Sequence, residues 1–176
     1  NVYYVRSMCL GADVLRGKNQ VPFNGEINYD YIMWIDSDIL FTPQHFIQLL
    51  SHKDKDIVSG LYPMEGGIAY PVVKEWNIDY FQKNGTFEFL KTNDPILYNK
   101  QPFEVVYTGL GFVLVKKGVF EKIGYPWFPP EFFEFENGIY DFCSEDVGFC
   151  RKATRAGFKI WIDPTVVLRH EKTVSF

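Results

Sequence analysis

Residues Tyr31–Phe41, with the sequence YIMWIDSDILF, join an apolar run to two aspartates that stand two positions apart. YIMWI has no polar residue at alternate positions, which is typical of a strand covered on both faces of a mostly parallel sheet. The next stretch, TPQHFIQLLS, begins with Thr42 as a helix cap and Pro43 at the first helical position. The two carboxylates are therefore predicted where a buried strand gives way to a helix.

Asp36 and Asp38 are the candidate functional residues of this stretch. In open α/β sheets, ligands bind in the crevice beyond the carboxyl ends of the strands. In extended chain, side chains two residues apart share one side, so both carboxylates could bind one divalent cation, which prefers oxygen ligands. The alternative is that residues 36–38 form a turn and cap the next helix. The tripeptide alone does not decide between these two interpretations.

Composition and charge narrow the class of protein. The 176 residues are enough for one domain with a sizeable core, and the 47% hydrophobic and 18% aromatic content is that of a folded globular chain. The formal net charge of -4 argues against a surface for polyanions, so nucleic acid is not an expected partner. No apolar run approaches the roughly 20 residues of a membrane helix, so no transmembrane segment is predicted.

The three cysteines, Cys9, Cys143 and Cys150, are an odd number without a C-x-x-C pair. This pattern favours neither a disulfide framework nor a structural zinc site. Free thiols fit a reducing compartment, and the expected location is the cytoplasm.

The alternation of strands and helices predicts a single α/β domain over residues 1–176, with a mostly parallel central sheet flanked by helices. The opening NVYYVRSMC alternates β-branched and aromatic residues and is predicted as a strand, followed by a helix that ends before Pro22. KDIVSGLYP is predicted as a second buried strand, and SEDVGFCRKATRAGF as a helix closed by Gly157. The stretch from Gly124 to Cys143, rich in Pro and aromatic residues, is predicted as a loop.

Three further features contribute candidate site residues. Ser144–Asp146, SED, opens a helix whose dipole stabilises acidic side chains and leaves a carboxylate ready to accept a proton, although the same pattern is also a plain cap. His170 follows an apolar strand and could complete a site that holds carboxylates; a single His is also common at surfaces and in cores. Gly109 and Gly111 interrupt a strand in TGLGF, which indicates either close approach of a ligand or a bulge.

The order of these motifs resembles the GT-A fold of nucleotide-sugar glycosyltransferases, especially the family 2-like members. The motifs are the DSD at a strand end, T-G-x-G-F, S-E-D before a helix, and a His after W-x-D-P. The resemblance runs from Arg16 to His170, which is most of the chain. GT-A enzymes usually begin with a strand and a loop that hold the nucleotide base, and this sequence starts too close to the DSD strand to contain that unit in full. The domain is therefore expected to be truncated at its N-terminus.

The resemblance implies a metal site and a donor site. Asp36 and Asp38 match the D-x-D pair, and His170 matches the late histidine that completes the coordination of Mn²⁺ or Mg²⁺. That ion would bridge the diphosphate of a nucleotide-sugar donor and neutralise the leaving group as a Lewis acid. Gly109 and Gly111 would lie in the donor site, where the donor sugar and the acceptor meet.

The resemblance also implies a general base. Asp146 matches the acid that takes the proton from the acceptor hydroxyl in inverting members, and Glu145 beside it is the substitute candidate. Trp127 or Trp161 could offer an apolar face to a sugar ring, with a place in the core as the alternative for Trp161.

The predicted function is transfer of a sugar from a nucleotide-diphosphate sugar to a glycan, glycoprotein or other hydroxyl acceptor. Inversion with Asp146 as base is the expected course, but retaining enzymes share the D-x-D frame, so the stereochemistry stays open. One alternative is a non-catalytic carbohydrate-binding or scaffold domain of the same fold. Another is a metal-dependent phosphoester hydrolase, which also uses aspartates at strand ends.

Overall fold

The computed structural model describes residues 2–134, 138 and 140–171. Within these residues, the strands are β1 (Tyr31–Ile35), β2 (Ile39–Leu40), β3 (Ile57–Leu61), β4 (Val72–Val73), β5 (Phe103–Val105), β6 (Tyr107–Thr108), β7 (Phe112–Lys116), β8 (Glu131–Glu134), β9 (Tyr140–Cys143), β10 (Ile160–Val167) and β11 (Arg169–His170). The α-helices are α1 (Val2–Cys9), α2 (Pro43–Leu50), α3 (Ile78–Asn84), α4 (Val119–Ile123) and α5 (Glu145–Arg155). The architecture is a mixed α/β fold with helices flanking a central sheet.

The central sheet has the strand order β1-β7-β3-β10-β5. β7 is antiparallel to both β1 and β3, and β5 is antiparallel to β10, whereas β10 and β3 are parallel. Most neighbouring pairs are therefore antiparallel, and the prediction of a mostly parallel sheet is wrong. The physical reason is that a continuous apolar run reports burial and carries no information on the direction of the neighbouring strand. β1, moreover, lies at an edge of the sheet.

β1, β3 and β10 nevertheless run in the same direction. β7 lies between β1 and β3 in the sheet and is antiparallel to both, and β10 is parallel to β3. The carboxyl ends of these three strands consequently meet at one edge of the sheet. Asp36 follows β1, Tyr62 follows β3 and His170 comes shortly after β10. This common direction brings distant parts of the chain to one place.

Separate hydrophobic clusters cover the two faces of the sheet. Alternate residues of β7 belong to different clusters, as expected for a strand with period-two side chains. Val113 and Val115 pack with residues of α4 and α5, whereas Phe112 and Leu114 pack with Leu49 of α2. The helices therefore sit on opposite faces of the sheet, with α2 on one side and α4 and α5 on the other.

The stretch predicted as the first strand forms helix α1. Its buried residues are Arg6 and Ser7, while the apolar Val2, Val5 and Met8 are exposed. β propensity reflects packing on a half-buried sheet surface. It does not predict the conformation of α1, whose main buried contact is the charged side chain of Arg6. The helix predicted before Pro22 is also wrong, because that segment forms only short 3-10 turns.

Three other predicted elements are confirmed. α2 begins at Pro43 after the N-cap Thr42, β3 is buried along its whole length, and α5 is followed by Gly157 with a φ of +91°. The loop predicted between Gly124 and Cys143 instead contains a hairpin, because β8 and β9 pair antiparallel. Residues 135–137 and 139 of that stretch lie outside the described residues. Within the described part of the chain, no helix combines the length and apolar character needed to cross a membrane.

Candidate functional site

Asp36 and Asp38 lie in a turn directly after β1. The amide of Ile39 donates to the Asp36 carbonyl at 3.1 Å, and the amide of Asp36 donates to the Gly111 carbonyl at 2.9 Å. The prediction that the Asp36 and Asp38 side chains share one side required an extended chain, and the turn interrupts that conformation. The two carboxylates therefore contact different partners.

Asp38 contacts His170. Antiparallel pairing of β11 with β2 sets His170 opposite Ile39, and the amide of Glu171 donates to the Asp38 carbonyl at 2.8 Å. The distance between Asp38 Oδ2 and His170 Nε2 is 2.9 Å. His170 Nδ1 lies 3.0 Å from the carbonyl of Pro63, which can only accept, so Nδ1 carries a proton. Nε2 of a neutral ring would then face an oxygen that also only accepts, so this contact needs a proton or a cation between the two atoms.

The chemistry of this pair fits a divalent cation. Carboxylate oxygen suits Mn²⁺ and Mg²⁺, and imidazole is a common metal ligand. A ligating histidine usually donates its other ring N–H to a carboxylate or carbonyl, as His170 does to Pro63. Over residues 2–134, 138 and 140–171, no group of three or more His, Cys, Asp or Glu side chains is placed to hold a metal. Asp38 and His170 are thus the two side chains of this pair that could contribute ligands to a cation.

Asp36 pairs with Arg6 of α1. Arg6 Nη2 lies 2.9 Å from Asp36 Oδ1 and 3.3 Å from Oδ2, and Arg6 Nε donates to Glu145 Oε1 at 3.1 Å. Arg6 is 8% exposed and Glu145 is 6% exposed, and the guanidinium carbon is 5.4 Å from the centre of the Trp34 ring. Burial lowers the pKa of Arg6, but the Asp36 and Glu145 carboxylates outweigh it and the pKa is raised. No pattern in the sequence singled out Arg6.

Asp146 is held in the first turn of α5 by three donors. The Tyr107 hydroxyl donates to Oδ2 at 2.8 Å, the Val147 amide donates to Oδ1 at 2.8 Å, and the Ser144 hydroxyl also contacts Oδ1. Burial, together with the charge of Asp146, raises the pKa of Tyr107 well above its ordinary value, so Tyr107 acts as a donor. An ionised carboxylate has about four acceptor positions. Within the described residues three are filled, which leaves room on Oδ2 for one more proton donor.

Tyr62 occupies the space next to Gly109 and Gly111. Its hydroxyl accepts from the Gly111 amide at 3.0 Å, and its ring centre lies 5.5 Å from that of His170. A Cβ atom at Gly109 would clash with the Tyr62 hydroxyl oxygen, and one at Gly111 would lie 2.7 Å from Cζ of the ring. The absence of side chains at these two positions is thus explained by Tyr62, whereas the glycine pattern left a ligand or a bulge open and the family resemblance implied a donor sugar there. That these glycines lie in a donor site stays a prediction.

The pKa of Tyr62 is sensitive to the charges of Asp146 and Asp36. Burial raises this pKa, and the Gly111 amide opposes the rise. The charges of Asp146 and Asp36 add to the increase, while Arg6 reduces it. Arg6 joins Asp36 to Glu145, the neighbour of Asp146, so the turn after β1 and the start of α5 belong to one cluster.

We expect Gly109→Ala to lower the free energy of unfolding by about 2 kcal/mol, because the added methyl group overpacks against Tyr62. Tyr62→Phe alone should cost about 1 kcal/mol, since it removes the acceptor of the Gly111 amide. In the double variant the clash with the hydroxyl disappears. Its loss of unfolding free energy should therefore be smaller than the sum of the two single-variant losses by about 1 kcal/mol. Urea denaturation of the four proteins measures this, and simple additivity would contradict the packing described.

The two tryptophans considered as sugar platforms lie elsewhere. Trp127 is fully buried and its indole N–H donates to the Phe120 carbonyl at 3.0 Å, so it presents no face to a ligand. Trp161 is half-buried near the amino end of β10, with Lys55 Nζ 4.4 Å from its ring centre. It therefore lies away from the edge that carries His170.

Comparisons with known proteins concern the fold alone. No protein-family model matches the chain, and no curated protein matches it. Among solved structures, the chain is similar to A197 from STIV, with a TM-score of 0.50 and 16% sequence identity over 100% of this chain and 80% of that one. The similarity supports the mixed α/β architecture.

Proposed function

We propose that the protein is a metal-dependent glycosyltransferase that moves a sugar from a nucleotide-diphosphate sugar to a hydroxyl acceptor. The observation that carries this proposal is the 2.9 Å contact between Asp38 and His170, whose Nδ1 donates to the Pro63 carbonyl. This pair has the donor chemistry of a divalent-cation site. It shares the edge of the sheet with Asp36, which Arg6 links to Glu145 beside Asp146. The motif order described above agrees with the same activity.

Each residue of the cluster has a role under this proposal. Asp38 and His170 would hold Mn²⁺ or Mg²⁺, which would supply Lewis-acid stabilisation of a nucleoside diphosphate leaving group. Asp146 accepts the proton of the acceptor hydroxyl at Oδ2 while the Tyr107 hydroxyl keeps that oxygen in place. Arg6 fixes Asp36 and keeps a positive charge at the site. Glu145 is less accessible to an acceptor, because it is buried and paired with Arg6.

Direct attack of a hydroxyl that is deprotonated by Asp146 inverts the anomeric centre. The anomeric configuration of the product, read by NMR, tests this part of the proposal separately from the metal requirement. Retention of configuration would leave the metal site in place and remove Asp146 as the base for a single displacement.

We expect Asp38→Ala and His170→Ala each to weaken binding of a nucleoside diphosphate in Mn²⁺ by at least about tenfold, because each removes a metal ligand. Asp36→Ala should have a smaller effect, since this carboxylate is engaged by Arg6. Calorimetric titration of a panel of nucleoside diphosphates and their sugar conjugates, with Mn²⁺ and then with a chelator, measures the change. Asp54→Ala is a control, because Asp54 pairs with Lys55 and is highly exposed. Unchanged binding in both ligand variants would exclude the metal assignment.

A non-catalytic carbohydrate-binding domain is the second candidate function. The observation in its favour is that Arg6 occupies the Asp36 carboxylate, so the D-x-D pair does not converge on one point. This function requires glycan binding that is insensitive to chelation and no release of nucleoside diphosphate. The same titrations, extended to glycans, separate it from the transferase.

A further inference from the structure

A cavity of about 690 Å³ lies between α3, β8 and the C-terminal half of α5. Asp38, Asp146 and His170 are not among the residues that line it. Its volume is within the range of about 300 to 1,000 Å³ that is usual for small-molecule sites. The aromatic part of the wall comes from Trp76 and Phe133, and the polar part includes Asp79, Gln82, Glu134 and Thr154.

Trp76 is a firmly held aromatic surface in this wall. Its ring centre lies 5.2 Å from that of Phe87, 5.7 Å from that of Phe133 and 6.3 Å from that of Tyr107. The indole is half-buried, so part of it lines the cavity. A ring that is already fixed by its neighbours offers contact area at a low cost in conformational entropy.

The two positive charges of the wall contact one carboxylate, that of Glu131. Arg151 Nε and Arg155 Nη2 each lie 2.9 Å from Glu131 Oε1, and the Arg151 guanidinium carbon is 4.0 Å from the centre of the Phe133 ring. An anionic ligand would have to compete with Glu131 for these cations. With Asp79 and Glu134 also in the wall, three carboxylates stand against two cations, and this balance disfavours phosphate and carboxylate ligands.

The remaining polar groups of the wall mainly accept hydrogen bonds. Within the described part of the chain, the Asp79 and Glu134 carboxylates have no hydrogen-bond or ion-pair partner, and the Gln82 amide adds an acceptor and a donor. A suitable ligand therefore carries several hydroxyl donors, no negative charge and an apolar face that can lie on an indole. A neutral saccharide has these three properties.

We propose that this cavity binds a neutral saccharide. Its role as part of the acceptor site rests on the proposed glycosyltransferase function. Asp146 is in the first turn of α5 and residues 151–155 are in its last turns, so at about 1.5 Å per residue the cavity lies about 8 to 14 Å along the helix from Asp146. Tyr107, which donates to Asp146, also packs against Trp76. A glycan whose reacting hydroxyl is at Asp146 can therefore place another of its sugars in the cavity.

The test is an array of neutral and acidic oligosaccharides probed with the full chain in the presence of a chelator, followed by titration of the glycan with the strongest signal. We expect a neutral glycan to bind and its dissociation constant to rise at least about tenfold in Trp76→Ala. The double variant Asp79→Asn/Gln82→Ala, which leaves the aromatic cluster intact, should also weaken binding. Trp161→Phe is the matched control and should bind like the unmodified protein.

The same titration in Asp38→Ala separates this proposal from the catalytic one, because saccharide binding here does not depend on the metal site. Binding that survives Asp38→Ala and fails in the Trp76 and Asp79/Gln82 variants supports the cavity even if no transfer is found. No neutral glycan on the array, signals from acidic glycans alone, or binding unaffected by the cavity variants would each overturn it.

Discussion

Replacing Asp146 with asparagine is expected to lower the rate of sugar transfer by about a thousandfold, within the range usual for loss of a general base. The amide has the same shape: its oxygen can still accept from the Val147 amide, and its NH2 group can donate to the Tyr107 hydroxyl oxygen, so its position should be kept. It cannot take a proton from the acceptor. Mn²⁺-dependent nucleotide binding should therefore remain within twofold of the unmodified protein, by our estimate of about 0.4 kcal/mol or less.

The measurement is release of nucleoside diphosphate in the presence of acceptor, using the donor found by the nucleotide titrations. Asp30→Asn is the control, because Asp30 is an exposed carboxylate at the start of β1, at the opposite end from the site. Glu145→Gln tests the substitute base. If Asp146→Asn retains more than a tenth of the rate, the base is another group, and a fall in Glu145→Gln alone would identify it.

Arg6→Met is expected to lower the free energy of unfolding by about 3 kcal/mol, because it leaves the buried Glu145 without its cationic partner. The contact with Asp36 should contribute little to this loss, since that side chain is 41% exposed and screened by water. The double variant Arg6→Met/Glu145→Met should recover much of the stability, because it replaces the buried charges by apolar groups.

Urea denaturation of the three proteins measures these differences. Arg155→Met provides the comparison, because its side chain is 58% exposed and its pair with Glu131 should contribute about 1 kcal/mol or less. A loss in Arg6→Met that is no larger than in Arg155→Met, or a double variant less stable than Arg6→Met, would contradict this account of α1.

Local sequence signals predicted the elements that they fully determine. The cap and proline before α2, the apolar run of β3 and the acid-to-base gradient along α5 each act within one segment, and all three elements are present. The pairing directions of the sheet depend on neighbours distant in sequence. YIMWI therefore predicted a strand correctly, but the parallel sheet predicted around it was wrong. The hairpin of β8 and β9 was hidden for the same reason, in a stretch rich in Pro and aromatic residues.

The candidate site shows the same division. Motif order pointed to Asp38 and His170, and the structure brings the two side chains into contact. The turn at residues 36–39 separates Asp36 from them. The two-residue spacing of the aspartates gave no sign of this turn. Arg6, Tyr62 and Tyr107 were missed, because a buried arginine or tyrosine acquires its role only from partners elsewhere in the chain.

The fit of Tyr62 against Gly109 and Gly111 has an evolutionary consequence. A substitution at either glycine should cost less stability after the phenol has been exchanged for a smaller side chain, so one order of mutational steps is favoured. Homologous chains that keep tyrosine at position 62 should keep both glycines, and chains with a small residue there should vary more readily at 111 than at 109, where Pro71 also lies 3.1 Å from an added Cβ. Positions 62, 109 and 111 are thus expected to covary among homologues, although position 62 is distant in sequence from the other two.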